Sequence, residues 1–229
     1  MAIAGRLARL GIPYLLLEKS DRVGHTWHGH YERLCLHTVK EHSNLPHLEF
    51  PEHYPTYVPR LDLIAYWENY IREMGIEPLF GQEVRHIRRV EDQWETTTGT
   101  DTFQSKCVVV ATGYNRVPYQ PEWPGQEQFQ GTFIHSKEYR NAKPFTGKKV
   151  LLIGMGNTGS ELALDLCEHG AFPTISVRSP VNIILRDVLG RPAQRTAIML
   201  SKLPEWAYDF IAKTVQKRTI GNLSAYGLE

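Results

Sequence analysis

Three glycines between residues 154 and 159 have the spacing Gly-x-Gly-x-x-Gly, and they separate an apolar run, 150–153, from a segment with helical periodicity. In a strand–turn–helix unit, the first glycine (Gly154) permits a tight turn and the second (Gly156) lets the backbone approach a pyrophosphate. The third, Gly159, allows the helix to pack closely on the strand. The free N–H groups at the start of that helix then bind the anion. The sequence therefore predicts a dinucleotide site with contacts from Gly154, Gly156, Asn157, Thr158 and Gly159.

A positive charge follows the next predicted strand of this unit. A dinucleotide unit that prefers NAD has an acidic residue about 20 residues after its glycines, where it binds the ribose hydroxyls. Near that distance this chain has Arg178, and a cation suits the 2′-phosphate of NADPH. The pattern favours NADPH, and the alternative is that Arg178 is a solvated charge at the end of a strand.

The first residues of the chain repeat the second half of this unit: the end of a helix, a glycine, a proline, a strand and a charged residue. The matched positions are Gly11 with Gly170, Pro13 with Pro173, and Glu18 with Arg178. Because Glu18 is acidic, this copy suits a ribose without a 2′-phosphate, such as the adenosine ribose of FAD. Two units with opposite ribose-binding charges predict electron transfer between NADPH and a flavin.

The opening helix, predicted from the apolar positions Ile3, Leu7 and Leu10, has no N-cap residue and no glycine-rich turn before it. The complete unit at 150–178 has both a strand and such a turn in that place. We therefore expect the chain to lack the first strand and the phosphate-binding turn of its FAD unit.

Net charge and cysteine content argue against several classes of protein. The formal net charge is +1, and acidic and basic residues are interspersed, so no nucleic-acid partner is expected. The three cysteines, Cys35, Cys107 and Cys167, are far apart, which argues against a zinc site, a redox pair or a disulfide framework and favours a reducing, cytoplasmic compartment. The histidines after Glu18 lack a metal-ligand spacing, so no metal site is expected.

Periodicity predicts the remaining elements. A helix is predicted from Leu63 to Met74, a β meander over 84–103 and a buried parallel strand in 107–113. Residues 181–220 read as helical, with breaks at 190–192 and at Pro204. The basic amphipathic end of this region admits a membrane-surface location, but a pair of core or lid helices is favoured, so membrane association is not expected.

The segment FQGTFIHSKEY has the order F-x-G-x-x-x-H-x-x-x-Y, formed by Phe129, Gly131, His135 and Tyr139. From the residues alone it predicts a loop whose histidine forms structural hydrogen bonds. Its spacing resembles the identifying sequence of the flavin-containing monooxygenases, and its final tyrosine favours the N- and S-oxygenating branch. The segments LLLEKSDRVGHTW and VVVATGYN are similar to flavin-side motifs of that family. The segments GNTGSE and VRSPVNIILRDVLGR resemble the plant indole-3-pyruvate (YUCCA-type) monooxygenases and their microbial relatives.

The resemblance implies FAD and NADPH as cofactors, and O2 and a small organic substrate as partners. In this family NADPH reduces the flavin, oxygen forms a C4a-hydroperoxyflavin, and one oxygen atom passes to a nitrogen, a sulfur or an α-keto acid. Because the flavin carries this chemistry, no catalytic side chain is assigned. The FAD contacts implied by the resemblance are Glu18, Thr26, Trp27, Ala111, Thr112 and Gly113.

The expected fold class is α/β, with two Rossmann-like dinucleotide-binding domains, the FAD domain incomplete and the NADPH domain inserted. Residues 1–120 are expected to form the partial FAD domain and 148–229 the NADPH domain with an amphipathic helical end. Residues 121–147 are expected to connect them and to carry the F-x-G-x-x-x-H-x-x-x-Y motif. The resemblance also implies a chain truncated at both ends.

Two alternative functions stay open, and a third is disfavoured by the cysteine pattern. A Baeyer–Villiger-type ketone monooxygenase would use the same flavin chemistry, and a non-catalytic NADP-binding fragment would need only the second unit. A disulfide-reductase-type flavoprotein requires a close cysteine pair, which the sequence does not provide. His37-Thr38 stands where many animal-type members have Asn-Thr, so the family's asparagine near the flavin is not assigned here.

Overall fold

The computed structural model describes residues 1–114, 117–179, 181, 185–188, 190–219 and 221. The chain forms two compact units: residues 1–31, 44–52 and 60–139 make the first, and residues 32–43, 53–59 and 140–229 make the second. The second unit therefore takes two segments from the first third of the chain. The domain boundaries expected from the sequence stay a prediction.

The first unit combines helices with a short parallel pair and an antiparallel meander. Its elements in chain order are α1 (Ala2–Arg9), β1 (Leu16–Leu17), α2 (His25–His28), α3 (Arg60–Glu73), β2 (Pro78–Leu79), β3 (His86–Val90), β4 (Gln93–Thr97) and β5 (Thr102–Ser105). Strands β1 and β2 pair in parallel, and β3, β4 and β5 form the antiparallel meander. The predicted helix and meander are confirmed.

The tyrosines of α3 organise the core of this unit. Tyr70 is fully buried and packs with Ala4 of α1 and with Ile76. Its hydroxyl lies so close to Gly5 that a Cβ there would overlap it. The close approach of Tyr70 to α1 therefore requires small residues on the buried face of that helix.

The predicted apolar face of α1 is consequently wrong, although the helix itself is confirmed. Ile3 is 47% exposed and Leu10 is 70% exposed, while Ala4 and Gly5 are the buried residues. The sequence pattern predicted that the large apolar side chains of α1 are buried, whereas the packing against Tyr70 buries its small residues.

Helix α1 and the helix over Asn157–Glu168 (α4) end in the same way, as the predicted repeat requires. Gly11 and Gly170 both have positive φ, +65° and +76°. In α1 the N–H of Ile12 donates to the carbonyl of Leu7 (3.0 Å), and at the matched positions Ala171 donates to Leu166 (2.9 Å). This is the Schellman geometry, which favours glycine at the left-handed position.

The second unit contains the predicted strand–turn–helix–strand. Its elements are β6 (Lys149–Ile153), α4 (Asn157–Glu168), β7 (Phe172–Ser176), β8 (Asp187–Val188), β9 (Arg191–Pro192), α5 (Ala193–Leu200) and α6 (Glu205–Thr219). Strands β6 and β7 are parallel, with Ile153 opposite Ser176 at their carboxyl ends. Leu162 and Leu166 of α4 are buried. The predicted βαβ unit is confirmed.

Two stretches differ from their predictions. Residues 107–113 form no strand, and Val109 and Val110 are 59% and 70% exposed, because no described strand supplies hydrogen bonds to this segment. Asp187 and Val188, predicted as helical, form strand β8, which pairs antiparallel with β9 at the predicted break, and Gly190 has φ +73°. The predicted helical positions 182–184, 189 and 220 lie outside the described residues. Among those described, no helix is long and apolar enough to cross a membrane.

Candidate dinucleotide-binding sites

The glycine-rich turn begins at the carboxyl edge of the β6–β7 pair. The N–H of Gly154 donates to the carbonyl of Ser176 (2.9 Å), which fixes the start of the turn beside the end of β7. Gly156 is the N-cap of α4, and no side chain caps this helix. The first N–H groups of an α-helix have no intrahelical partner. The turn therefore presents an uncapped helix N-terminus at the edge where ligands of α/β sheets bind.

Each of the three positions in the turn favours glycine for a different structural reason. Gly154 has φ +99°, which side-chain-bearing residues rarely adopt. A Cβ at Gly159 would overlap the carbonyl oxygen of Gly154, so this glycine is required by packing within the turn. A Cβ at Gly156 would meet no atom of the described residues within 4 Å. The space over Gly156 is thus open toward solvent, as a backbone-to-pyrophosphate contact needs, and the turn fits such a group.

Arg178 lies two residues beyond the end of β7, on the same edge as the turn. It is exposed and forms no ion pair with the part of the chain that the structure describes. Asn157 and Thr158, in the first turn of α4, are also exposed. The structure therefore brings the predicted NADPH contacts of the second unit together at one edge.

Sequence reasoning missed a cluster of ion pairs between Arg33 and helix α4. Arg33 contacts three carboxylates: Glu168 (2.7 Å from Nη1), Glu161 (3.3 Å from Nε) and Asp165 (3.8 Å from Nη1). Desolvation lowers the pKa of Arg33, but the hydrogen bond to Glu168 and the three negative charges outweigh it, so the pKa is raised. The spacing i, i+4, i+7 of these acids on one helix face is the sequence signal that predicts a cation partner.

Glu18 follows β1, and its carboxylate is fixed by its own loop. The N–H and the hydroxyl of Ser20 both donate to Oε1 of Glu18, at 2.9 and 2.8 Å. The backbone N–H of Glu18 donates to the carbonyl of Leu79 in β2 (3.0 Å). Within the described residues Oε2 accepts no hydrogen bond, so it is available for a ribose hydroxyl.

Thr26 and Trp27 lie in the single-turn helix α2. The Trp27 ring is edge-on to Trp67 of α3, with centroids 5.5 Å apart and planes at 88°. Thr26 is exposed. Segment 111–113 is exposed, with φ +85° at Gly113, and no hydrogen bond or ring contact joins it to Glu18 or Trp27.

The F-x-G-x-x-x-H-x-x-x-Y motif is a loop held by local contacts. The Phe129 ring lies over Gly131 so closely that a Cβ there would overlap it. The N–H of Lys137 donates to Nδ1 of His135 (3.1 Å), so the neutral imidazole carries its proton on Nε2. Tyr139 is buried, with 4% exposure.

The cysteines and the histidine-rich loop form no further centre in the described chain. Cys35, Cys107 and Cys167 are free thiols. The described residues contain no group of three or more His, Cys, Asp or Glu side chains that could hold a metal ion.

Together these features define an α/β fold with a βαβ unit of the dinucleotide-binding type. A model of the flavin-binding monooxygenase-like family matches residues 16–218, and the chain belongs to this family. The resemblance to the flavin-containing monooxygenases, drawn from the motifs, is confirmed.

The chain is 38% identical over 233 residues to indole-3-pyruvate monooxygenase YUCCA1 of Oryza sativa subsp. japonica, covering all of this chain and 57% of that protein. It is 35% identical to probable indole-3-pyruvate monooxygenase YUCCA9 of Arabidopsis thaliana, covering all of this chain and 56% of that protein. The chain thus spans somewhat more than half the length of these relatives, which are monooxygenases and therefore oxidoreductases.

A solved structure shares the fold. A double mutant of the flavin monooxygenase from Stenotrophomonas maltophilia superposes with a TM-score of 0.76 and 26% identity, covering 86% of this chain and 59% of that chain. The predicted α/β class with Rossmann-like domains is confirmed by this neighbour and by β6–α4–β7.

Proposed function

We propose that the protein is an FAD- and NADPH-dependent monooxygenase that transfers one oxygen atom from O2 to a small organic substrate. The observation that carries the proposal is the pair of nucleotide units with opposite charges at the ribose position, Glu18 and Arg178. Membership of the flavin-binding monooxygenase-like family supports the same cofactor pair.

The second unit would hold NADPH. The uncapped N-terminus of α4 and the open space over Gly156 receive the pyrophosphate, with Asn157 and Thr158 beside it. Arg178 pairs with the 2′-phosphate, since a guanidinium forms charge-assisted bonds to phosphate oxygens.

The first unit would hold FAD. Glu18, oriented by Ser20, accepts hydrogen bonds from the adenosine ribose, and the α2 turn with Thr26 and Trp27 contacts the flavin. When bound, the flavin would supply hydride acceptance from NADPH and transfer of one oxygen atom. The protein groups bind and orient, and no side chain is assigned as a general base.

The names of the relatives direct the choice of substrate class. Because those proteins are indole-3-pyruvate monooxygenases, we put an α-keto acid first, ahead of an amine or a thioether. The three free cysteines favour a reducing compartment such as the cytoplasm.

A product screen tests this function. The purified chain, supplied with FAD, NADPH and isotopically labelled O2, is offered indole-3-pyruvate, an amine, a thioether and a cyclic ketone in separate reactions. We expect a product from the α-keto acid that carries one labelled oxygen atom and depends on NADPH. A labelled ester from the ketone alone would instead identify a Baeyer–Villiger enzyme. A chain that binds NADPH but retains no flavin would contradict the proposal and identify a non-catalytic NADP-binding protein.

A further inference from the structure

Arg60, the first residue of α3, contacts the turn that carries Trp27. Its Nη1 donates to two backbone carbonyls, that of Trp27 (3.1 Å) and that of His28 (2.9 Å). These carbonyls lie at the end of α2: that of Trp27 also accepts the N–H of His30 (3.3 Å), whereas that of His28 accepts no other hydrogen bond from the described residues. The guanidinium of Arg60 joins the two carbonyls and supplies the hydrogen bond that the His28 carbonyl otherwise lacks.

The same face of α3 supplies two more contacts to this turn. Trp67 lies edge-on against Trp27, and a Cβ at Gly24 would sit 3.0 Å from the Trp67 ring. Ile64 is the next neighbour of Gly24, with its Cγ1 3.7 Å from that Cβ position. Arg60, Ile64 and Trp67 have the spacing i, i+4, i+7, so one stripe of α3 supports the whole turn.

The hydrogen bonds from Nη1 to these two carbonyls hold the guanidinium of Arg60 in place, because its Nε forms none with the described part of the chain. Its Nε is buried and has no hydrogen-bond partner among the described residues. A buried donor without an acceptor is unfavourable. The two hydrogen bonds of Nη1 therefore stabilise this orientation by more than the unsatisfied Nε–H group destabilises it.

We propose that Arg60 is a positioning residue for the flavin contact. It acts through the backbone of Trp27 and His28, fixing the α2 turn, and it does not touch reacting atoms. The assignment of this turn to FAD rests on the proposed function, whereas the fixing of the turn by Arg60 does not.

The first measurement needs no cofactor. Two indoles at the Trp27–Trp67 distance and angle give an exciton couplet in the far-ultraviolet circular dichroism spectrum, which Trp67→Phe assigns. We expect Arg60→Met to remove most of this couplet and Arg60→Lys, which keeps one charged donor, to retain part of it. The matched control is Arg72→Met in the same helix, since Arg72 is exposed and, among the described residues, donates only to Asn69. That control is expected to leave the couplet unchanged.

The second measurement is FAD affinity, followed by quenching of flavin fluorescence. Because two charge-assisted hydrogen bonds are lost, Arg60→Met is expected to weaken FAD binding at least about tenfold, and Arg72→Met to leave it unchanged. The FAD affinity of Arg60→Lys is expected to lie between those of these two variants. If Arg60→Met does not fold, Arg60→Lys is used in its place.

Two results would overturn the proposal. An undiminished couplet in Arg60→Met shows that Arg60 does not fix the turn. A lost couplet with unchanged FAD affinity shows that the turn does not serve the flavin. A wild-type chain that binds no FAD removes the proposed function, and in that case the couplet still decides whether Arg60 holds the turn.

Discussion

Gly156→Ser is expected to weaken NADPH binding at least about tenfold, a loss of about 1.4 kcal/mol, without destabilising the fold. A Cβ at this position meets no atom of the structurally described chain within 4 Å, and the backbone has φ −84° and ψ −173°, which serine adopts freely. Serine is also a better N-cap than glycine, by a few tenths of a kcal/mol. Its side chain would nevertheless occupy the space through which the pyrophosphate reaches the backbone of α4. Isothermal titration with NADPH, together with thermal unfolding, measures both effects.

The neighbouring substitution Gly159→Ala is the matched contrast. Its Cβ would overlap the carbonyl oxygen of Gly154, and overpacking of this kind costs about 1–3 kcal/mol. Because the overlap is with a backbone oxygen, we expect a cost near the upper end of this range, which exceeds the gain of about 1 kcal/mol from alanine in a helix. We therefore expect Gly159→Ala to lower the unfolding midpoint, which Gly156→Ser does not. Equal NADPH affinity in wild type and Gly156→Ser would show that this turn does not bind the pyrophosphate.

Substitutions of Arg178 are expected to change coenzyme preference more than substitutions at any other position of the second unit, and Arg178→Gln removes only the charge. Hydrogen bonds to charged groups contribute about 1.5–3 kcal/mol, so loss of the guanidinium lowers NADPH affinity about 10- to 100-fold. NADH lacks the 2′-phosphate, and its affinity should stay nearly constant. Arg178→Glu should go further, since a carboxylate repels the phosphate and accepts hydrogen bonds from the ribose hydroxyls.

The control for Arg178 is Arg218→Gln, which removes an equally exposed arginine from the last turn of α6. The measurement is the ratio of NADPH to NADH dissociation constants for each variant. If both arginine variants weaken the two coenzymes alike, Arg178 acts only as a solvated surface charge and the NADPH assignment is contradicted.

The second nucleotide unit could be predicted from sequence almost completely, because its signals are local. The glycine spacing, the apolar strand at 150–153 and the return at Gly170 all lie within one βαβ unit. The opening helix and its glycine stop were predictable for the same reason. The sequence did not reveal that Tyr70 would bury Ala4 and Gly5, because that contact joins residues far apart in the chain.

The features that sequence reasoning missed are long-range and mostly involve backbone groups. The segment around Arg33 belongs with α4 through ion pairs to residues more than a hundred positions away. Arg60 recognises carbonyl oxygens, which leave no mark on side-chain patterns. An apolar run such as 107–113 predicts a strand only if another strand is present to pair with it. The antiparallel pairing of β8 with β9 was missed because the periodicity treated Gly190 only as a helix break.

The central claim is that one unit holds FAD, the other holds NADPH, and electrons pass between them. Anaerobic mixing of the FAD-loaded chain with one equivalent of NADPH tests it most directly, with the flavin absorbance followed over time. We predict that NADPH bleaches the oxidised flavin band, that NADH does so far more slowly, and that Gly156→Ser slows the reaction with NADPH. An oxidised flavin spectrum that persists in the presence of NADPH would contradict the account.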